Sequence, residues 1–318
     1  MKILLSCPSK SFLLGEYSVL NAGSALLFNS EPRFQLVADM RGTGVIEGIP
    51  ASSPAGLWLA QNRDCFGASD LQFIDPHNGL GGFGASSAQF LLVHALAQLI
   101  ADANGRRESS AVQVEAIWRD YRNLEITNRS GIKPSGADIV SQFAGGLCEV
   151  NLEPFSFQQI SWPFEGYEFV LVRTGHKVAT HTHLNDLGDI DTGELTWILE
   201  QGLDAFETRD AQVFFDAVND YHCELLELGL VADESQIFIS TLIAQPFIRA
   251  VKGCGALSGD ALAVFFAAEN RSRVNRILEE LHLPIVADLG ALSTGFQMQI
   301  DDSDKPASIE GAGVLTGV

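Results

Sequence analysis

The chain has 318 residues, 46% of them hydrophobic and 19% charged, with a formal net charge of −20. That length accommodates two domains or one large one. No uninterrupted apolar run of about 18 residues is present, which excludes a membrane-spanning helix, and the acidic balance excludes nucleic acid and anionic membrane as partners, because both demand a basic surface.

The first residues, Met1-Lys2-Ile3-Leu4-Leu5-Ser6-Cys7-Pro8, hold too short an apolar stretch for a signal-peptide core and read as a first strand. Apolar and alternating runs predict strands over Ile3–Ser6, Phe12–Leu14, Ala25–Phe28 and Phe34–Ala38, with breaks near Pro8, Gly15, Gly23 and Pro32. This places Lys10 in a turn between two strands, with Glu16 following a glycine. Rigid strands can aim such a lysine at a reacting oxygen; a lysine on an edge strand also serves simply to keep the sheet soluble.

Residues 79–88 form a glycine-rich run, Gly79-Leu80-Gly81-Gly82-Phe83-Gly84-Ala85-Ser86-Ser87-Ala88, that feeds a helix from Ala85 to Asp102. Backbone N–H groups of such a turn and the positive helix end suit an anion. Ser86 and Ser87 offer hydroxyls for a helix cap or for Mg²⁺, while glycine also serves plain turns and close packing. In the helix only Gln89, His94, Gln98 and Asp102 interrupt the apolar residues, so it is expected to be buried and His94 to have no functional role.

A second helix is expected from Ser110 to Leu124, with Ser110 and Gln113 at capping-box spacing. Residues 134–151 give a turn, a short helix and a strand over Leu147–Leu152. Asp138 falls on the first turn of that short helix. It is placed there either by the helix dipole or to face a substrate hydroxyl, with Lys10 holding it ionised. The stretch Glu153–Gly166, rich in proline and phenylalanine, is the expected domain joint.

Beyond it, Phe169–Val172 reads as a strand leading into the loop Arg173-Thr174-Gly175-His176-Lys177-Val178-Ala179-Thr180-His181, basic and hydroxyl-rich and suited to a substrate's anionic group. Helices follow at 193–208, 209–228 and 233–250, then a second glycine-rich turn from Lys252 into a strand over Ala261–Ala267, a helix over Asn270–His282 and a polar tail from Asp301 to Val318. Strands and helices in mixed order indicate an α+β fold. There is no dinucleotide fingerprint and no G-x-x-x-x-G-K-[ST] loop.

The five cysteines, at 7, 65, 148, 223 and 254, are odd in number and widely spaced, which points to free thiols in a reducing cytoplasm. His181 and His183 lack companions at ligand spacing and read as a solvated loop. Lys10, Lys133, Lys177 and Lys252 all lie within the glycine- and serine-rich segments above.

Taken together, these segments resemble the GHMP kinase superfamily, the group of galactokinase, homoserine, mevalonate and phosphomevalonate kinases. Pro8-Ser9-Lys10…Gly15-Glu16-Tyr17 is similar to the family's P-G-K…G-E-[HY] segment, and Gly82–Ala88 to its G-L-G-[SA]-S-[SG]-A phosphate loop. Lys252-Gly253-Cys254-Gly255-Ala256-Leu257-Ser258-Gly259-Asp260 is similar to K-x-[ST]-G-A-G-G-G-[GD]. Pro134-Ser135-Gly136-Ala137-Asp138 matches the P-S-G-[AIV]-D box of the mevalonate-type members, and Thr174-Gly175…Thr180 their T-G…S-T segment.

The resemblance implies a two-domain fold: residues 1–160 with a mixed sheet, the phosphate loop and the catalytic aspartate, and residues 161–318 as a ferredoxin-like domain, with ATP and Mg²⁺ between them. It implies Asp138 as base with Lys10 as its partner, and Gly82, Gly84, Ala85, Ser86, Ser87 and Ala88 around the triphosphate. Ser86 or Ser87 would ligate Mg²⁺, Glu125 being the nearest candidate for a second ligand, two residues out of step. Glu16, Tyr17, Lys133, Ser135, Arg173, His176, Lys177, Lys252, Gly255 and Ala256 would face a small anionic substrate.

The segment Gly15–Leu20 and Asp260 look most like phosphomevalonate kinases, with mevalonate kinase and a metabolite-binding protein without turnover as alternatives. Leu257 and Ser258 replace two family glycines, and Gly79 and Gly81 fall outside the loop pattern as a flexible approach to it.

Overall fold

A computed structural model describes residues 1–21, 23–103, 112–124, 134–175, 190–255, 257 and 259–301. Two sheets organise the chain. The first strand, β1 (Lys2–Leu14), pairs antiparallel with β2 (Ser24–Asp39). The sequence predicts four short strands here, and the structure has two long ones. Pro8 cannot donate to a ladder, but pairing skips from Cys7–Phe34 to Ser9–Ser30, so both Pro8 and Pro32 sit in an irregularity that leaves the strands continuous. Lys10 therefore lies inside a strand and not in a turn, opposite Asn29.

Helix α1 (Pro54–Gln61), which the sequence reading did not anticipate, follows β3 (Ile46–Glu47) and precedes β4 (Asp70–Ile74). Ser53 caps α1 by accepting the Gly56 N–H at 3.1 Å. The first sheet is completed by the hairpin β5 (Leu147–Leu152) and β6 (Phe155–Ile160), which pairs through β5 with the first half of β2 while β4 pairs with its second half. Phe155–Ile160 is thus a strand, and the expected joint shrinks to the segment after it.

Helix α2 (Ala85–Ala103) is buried on all sides from Ser87 to Gln98, as its narrow polar stripe predicts. Two shorter helices pack on it, α3 (Val114–Asn123) and α4 (Ala137–Ala144), and the second sheet follows the hairpin. His94 bonds Asp120 at 2.7 Å, a structural role. The expected cap Ser110 lies outside the described residues. The Gln113 N–H at the start of α3 is instead accepted by Gln98 Oε1 at 2.8 Å, a tertiary cap that local spacing does not reveal.

The second sheet has strand order β10-β7-β9-β8, all antiparallel: β7 (Tyr167–Arg173), β8 (Ile248–Gly253), β9 (Ala261–Ala267) and β10 (Ile285–Asp288). Helices α5 (Gly193–Thr208), α6 (Ala211–Glu227) and α7 (Asp233–Ile243) connect β7 to β8, and α8 (Arg271–Glu280) connects β9 to β10. The β-α-β-β-α-β path with this order is ferredoxin-like. The helix expected over 233–250 stops at Ile243 because Pro246 can neither continue it nor leave its predecessor helical; β8 begins at Ile248. The last described strand, β11 (Gln297–Asp301), returns to the first sheet beside β1. The tail 302–318 lies outside the described residues.

Helices α5 and α6 lie between the sheets, against β1, β2 and β8, and the core runs continuously through them. Phe28 of β2 meets Phe169 of β7 edge-on at 4.9 Å. Among the described residues no helix is long and apolar enough to cross a membrane.

Candidate active site

The glycine loop before α2 is where the separate motifs of the chain meet. Gly79, Gly82 and Gly84 have positive φ of 76°, 92° and 86°, which only glycine adopts without strain. At Gly84 the lack of a Cβ is used twice, for an added Cβ would fall 2.9 Å from Lys10 Cγ and 3.0 Å from Gln142 Nε2. The Lys10 N–H donates to the Phe83 carbonyl at 3.0 Å, so β1 supports the loop through its backbone while the Lys10 side chain lies along Gly84. Lys10 is buried, with its ammonium 4.7 Å above the Phe12 ring centroid.

Gln142, which sequence reasoning missed, donates to the Pro8 carbonyl at 2.9 Å and to the Gly84 carbonyl at 3.2 Å. It stands on α4 four residues after Asp138, so both occupy one helix face. This helix starts at Gly136, whose φ of 75° and close approach to Trp118 (2.7 Å from an added Cβ to Cδ1) exclude any side chain. Ser135 accepts the Ala137 N–H at 3.3 Å, and its carbonyl accepts from Trp118 Nε1 at 2.8 Å; Ser135 builds the start of α4. Asp138 is half-buried, with Oδ1 accepting the Ile139 N–H at 3.1 Å. Among the described residues no ion pair joins Asp138 to Lys10; Lys10 reaches the loop at Gly84, and Asp138 stands one helix turn before Gln142, which reaches the same glycine.

The two serines at the start of α2 differ. Ser87 is buried and donates its hydroxyl to the Gly84 carbonyl at 2.9 Å, whereas Ser86 is exposed at the helix N-terminus. Ala85 is half-buried and Ala88 fully buried, which makes Ala88 a packing residue under the loop.

From the second sheet, Asp260 closes over the glycines. An added Cβ would fall 2.6 Å from Asp260 Cβ at Gly82 and 2.8 Å from Asp260 Oδ2 at Gly81. Gly81 is thus a contact position and not merely a flexible approach. The Asp260 carbonyl accepts the Thr174 N–H at 3.2 Å, and the Thr174 hydroxyl donates to the Gly259 carbonyl. Arg173 lies with its guanidinium 5.3 Å over the Phe83 ring. Replacing Gly82 by alanine combines a positive-φ penalty with the Asp260 contact, and a destabilisation of about 1–3 kcal/mol is expected in denaturant unfolding. Gly79→Ala, which has nothing within 4 Å of its added Cβ, is expected to cost less.

Glu16, Tyr17 and Lys252 form a second cluster. Lys252 is fully buried and pairs with Glu16 Oε1 while donating to the Gly253 carbonyl at 2.6 Å. Its ammonium lies 5.4 Å over Tyr221, whose hydroxyl donates to the Glu16 carbonyl at 2.6 Å. Tyr17, in the left-handed region at φ 70°, accepts the Leu257 N–H at 2.9 Å. Burial pushes the Glu16 carboxyl up, and the Lys252 ammonium opposes it; burial and then Lys252 bring His222 down to about 4. These residues tie β1 and the turn after it to β8 and α6. Gly255, half-buried at φ 94° with nothing within 4 Å, gives the turn beyond Lys252 its shape. Glu125, Lys133, His176, Lys177 and Ala256, together with His181 and His183, lie outside the described residues.

No family model and no curated protein matches this sequence. Solved structures do match. A phosphomevalonate kinase of Streptococcus pneumoniae in complex with phosphomevalonate and AMPPNP superposes with a TM-score of 0.71 at 14% identity, over 91% of this chain and 99% of that one. A galactokinase of Lactococcus lactis complexed with galactose gives 0.69 at 12% identity, over 93% and 94%. A mevalonate kinase of Methanococcus jannaschii gives 0.64 at 12%, over 92% and 98%. With TM-scores of 0.64–0.71 over nearly the whole length of this chain and of each neighbour, the chain has the fold of the GHMP kinases.

Proposed function

We propose that the protein is an ATP-dependent small-molecule kinase that transfers the γ-phosphoryl group of ATP to phosphomevalonate. The observation that carries this reading is the convergence on Gly81–Gly84 of Lys10 from β1, the Asp138–Gln142 face of α4, and Arg173 and Asp260 from the second sheet. Phosphoryl transfer asks a protein chiefly for positioning and charge neutralisation, and this arrangement supplies both around one helix N-terminus. In this reading residues 1–160 and 161–318 act as two domains, with β11 crossing back, and substrates lie between them.

The donor set fits Mg²⁺. That ion keeps several waters and takes one or two protein oxygens beside the phosphates; the Ser86 hydroxyl is exposed at the loop, and the Ser87 oxygen keeps acceptor capacity after donating to Gly84. When bound, the ion neutralises phosphate charge. The chain's own part is to hold the triphosphate on the N–H groups of Gly84–Ser87 and to accept the acceptor hydroxyl's proton on the Asp138 carboxylate. Arg173 favours an acceptor that itself carries phosphate, which sets phosphomevalonate ahead of mevalonate and of a neutral sugar.

The test is ADP release from MgATP with phosphomevalonate, mevalonate, homoserine and galactose in parallel. Turnover fastest with phosphomevalonate is the expected result. Faster turnover with mevalonate reassigns the acceptor, and nucleotide binding without ADP from any of them overturns the kinase reading in favour of a binding protein.

A further inference from the structure

His77 belongs to none of the motifs above, yet it is 93% buried beside the glycine loop. Its ring stacks on Phe83 at 4.5 Å and 20°. Nε2 stands 2.7 Å from Ser9 Oγ, and the Ser9 hydroxyl donates to the Pro32 carbonyl at 2.6 Å. The single proton of Ser9 is therefore committed to Pro32, so Ser9 accepts and His77 Nε2 must carry a hydrogen. The lone pair of Nδ1 is left facing Arg173 Nη2, 3.4 Å away. The turn that presents the ring is itself fixed, for Asp75 accepts the N–H groups of His77 and Gly79, each at 2.8 Å. On the other side, Arg173 lies over Phe83 with a buried Nε that has no hydrogen-bond partner among the described residues.

We propose that His77, locked by Ser9 as the Nε2–H tautomer, is a positioning residue that holds the Arg173 guanidinium on Phe83 so that it grips a phosphate oxyanion at the glycine loop. This rests on the kinase reading and specifies what secures its basic group. A histidine is suited to the task only while neutral: a proton on Nδ1 removes the acceptor and sets two cations against each other. The charged groups facing the ring are Asp75 from its own turn and Arg173 from β7; β1 offers Ser9, β2 the Pro32 carbonyl and the Phe34 ring, and the loop Phe83. Burial first, and Arg173 after it, pull the ring's proton affinity below the usual histidine value, with Asp75 opposing.

The oxyanion is a phosphate of the nucleotide or of the acceptor, and two titrations separate them: MgAMPPNP and phosphomevalonate, each against wild type, His77→Phe, His77→Gln and Ser9→Ala. His77→Phe keeps the stack and removes both hydrogen bonds, and about tenfold weaker binding of one of the two ligands is expected; the ligand affected identifies the source. His77→Gln retains an N–H for Ser9 and an oxygen for Arg173 and does not titrate. It should restore affinity to within about threefold and abolish the decline expected of wild type as pH falls below the usual histidine range. Ser9→Ala, which leaves the ring in place but frees its tautomer, carries the same prediction at smaller size and stands in should His77→Phe fail to fold. Unchanged affinity for both ligands in His77→Phe, or in Ser9→Ala where it stands in, overturns the positioning role alone; a wild-type protein that binds neither ligand overturns the kinase reading with it.

Discussion

Asp138→Asn is expected to lower kcat by about 10²–10⁴, the range a general base contributes, with MgAMPPNP affinity within about twofold of wild type. The substitution is nearly isosteric, and the asparagine oxygen still accepts the Ile139 N–H that Asp138 accepts at 3.1 Å. The loop is untouched, because its link to α4 runs through Gln142, which holds the Gly84 and Pro8 carbonyls. What is lost is the ability to take a proton. Asp138 has no cation within ion-pair distance among the described residues, so its carboxylate is not spent on a structural bridge. Steady-state turnover alongside calorimetry separates chemistry from binding. Wild-type turnover in the variant removes Asp138 from the mechanism; loss of turnover together with nucleotide affinity makes it a structural residue of the loop.

Sequence and structure agree best where the signal is local. The glycine run, the buried helix after it, the turn before Asp138 and strands such as Ala261–Ala267 are each set by neighbours in the chain, through φ requirements, periodicity and capping. The family resemblance adds their common destination, which no single segment implies. What escaped is tertiary. Pro8 and Pro32 look like strand breaks until each is seen opposite the other's irregularity. Gln113 is capped by Gln98, fifteen residues earlier. Gln142 and His77 carry no motif, and their roles follow from a carbonyl and a guanidinium that arrive from distant strands. Lys252 shows the converse: its motif is legible, but its partner Glu16 is 236 residues away, so the lysine that the pattern offers to a substrate is used inside the protein.

That last assignment makes the second large prediction. Lys252→Met leaves the Glu16 carboxylate buried without its counter-ion; Glu16 is 4% exposed, and its Oε2 already lacks a hydrogen-bond partner. Breaking a buried pair on one side costs about 3–5 kcal/mol, and a denaturant midpoint lowered accordingly is expected. Replacing both members, Glu16→Gln with Lys252→Met, removes the stranded charge and should recover at least half of that loss, since no unpaired charge is left buried. The same charge contributes to acid stability, second to burial. His222 titrates near 4 in the folded protein, below the unfolded histidine value of about 6.5. The unfolded chain therefore binds the extra proton between those limits, and wild-type stability falls as pH drops from 6.5 toward 4. Burial is the larger cause and Lys252 the smaller, so the double variant should retain most of this slope and lose the part due to the ammonium. A substrate contact predicts the opposite pattern: were Lys252 an acceptor ligand, Lys252→Met would raise KM with the denaturant midpoint unchanged, and the double variant would gain nothing. The two readings thus differ on whether stability falls and whether it is rescued, and the unfolding curves of three proteins distinguish them before any substrate is added.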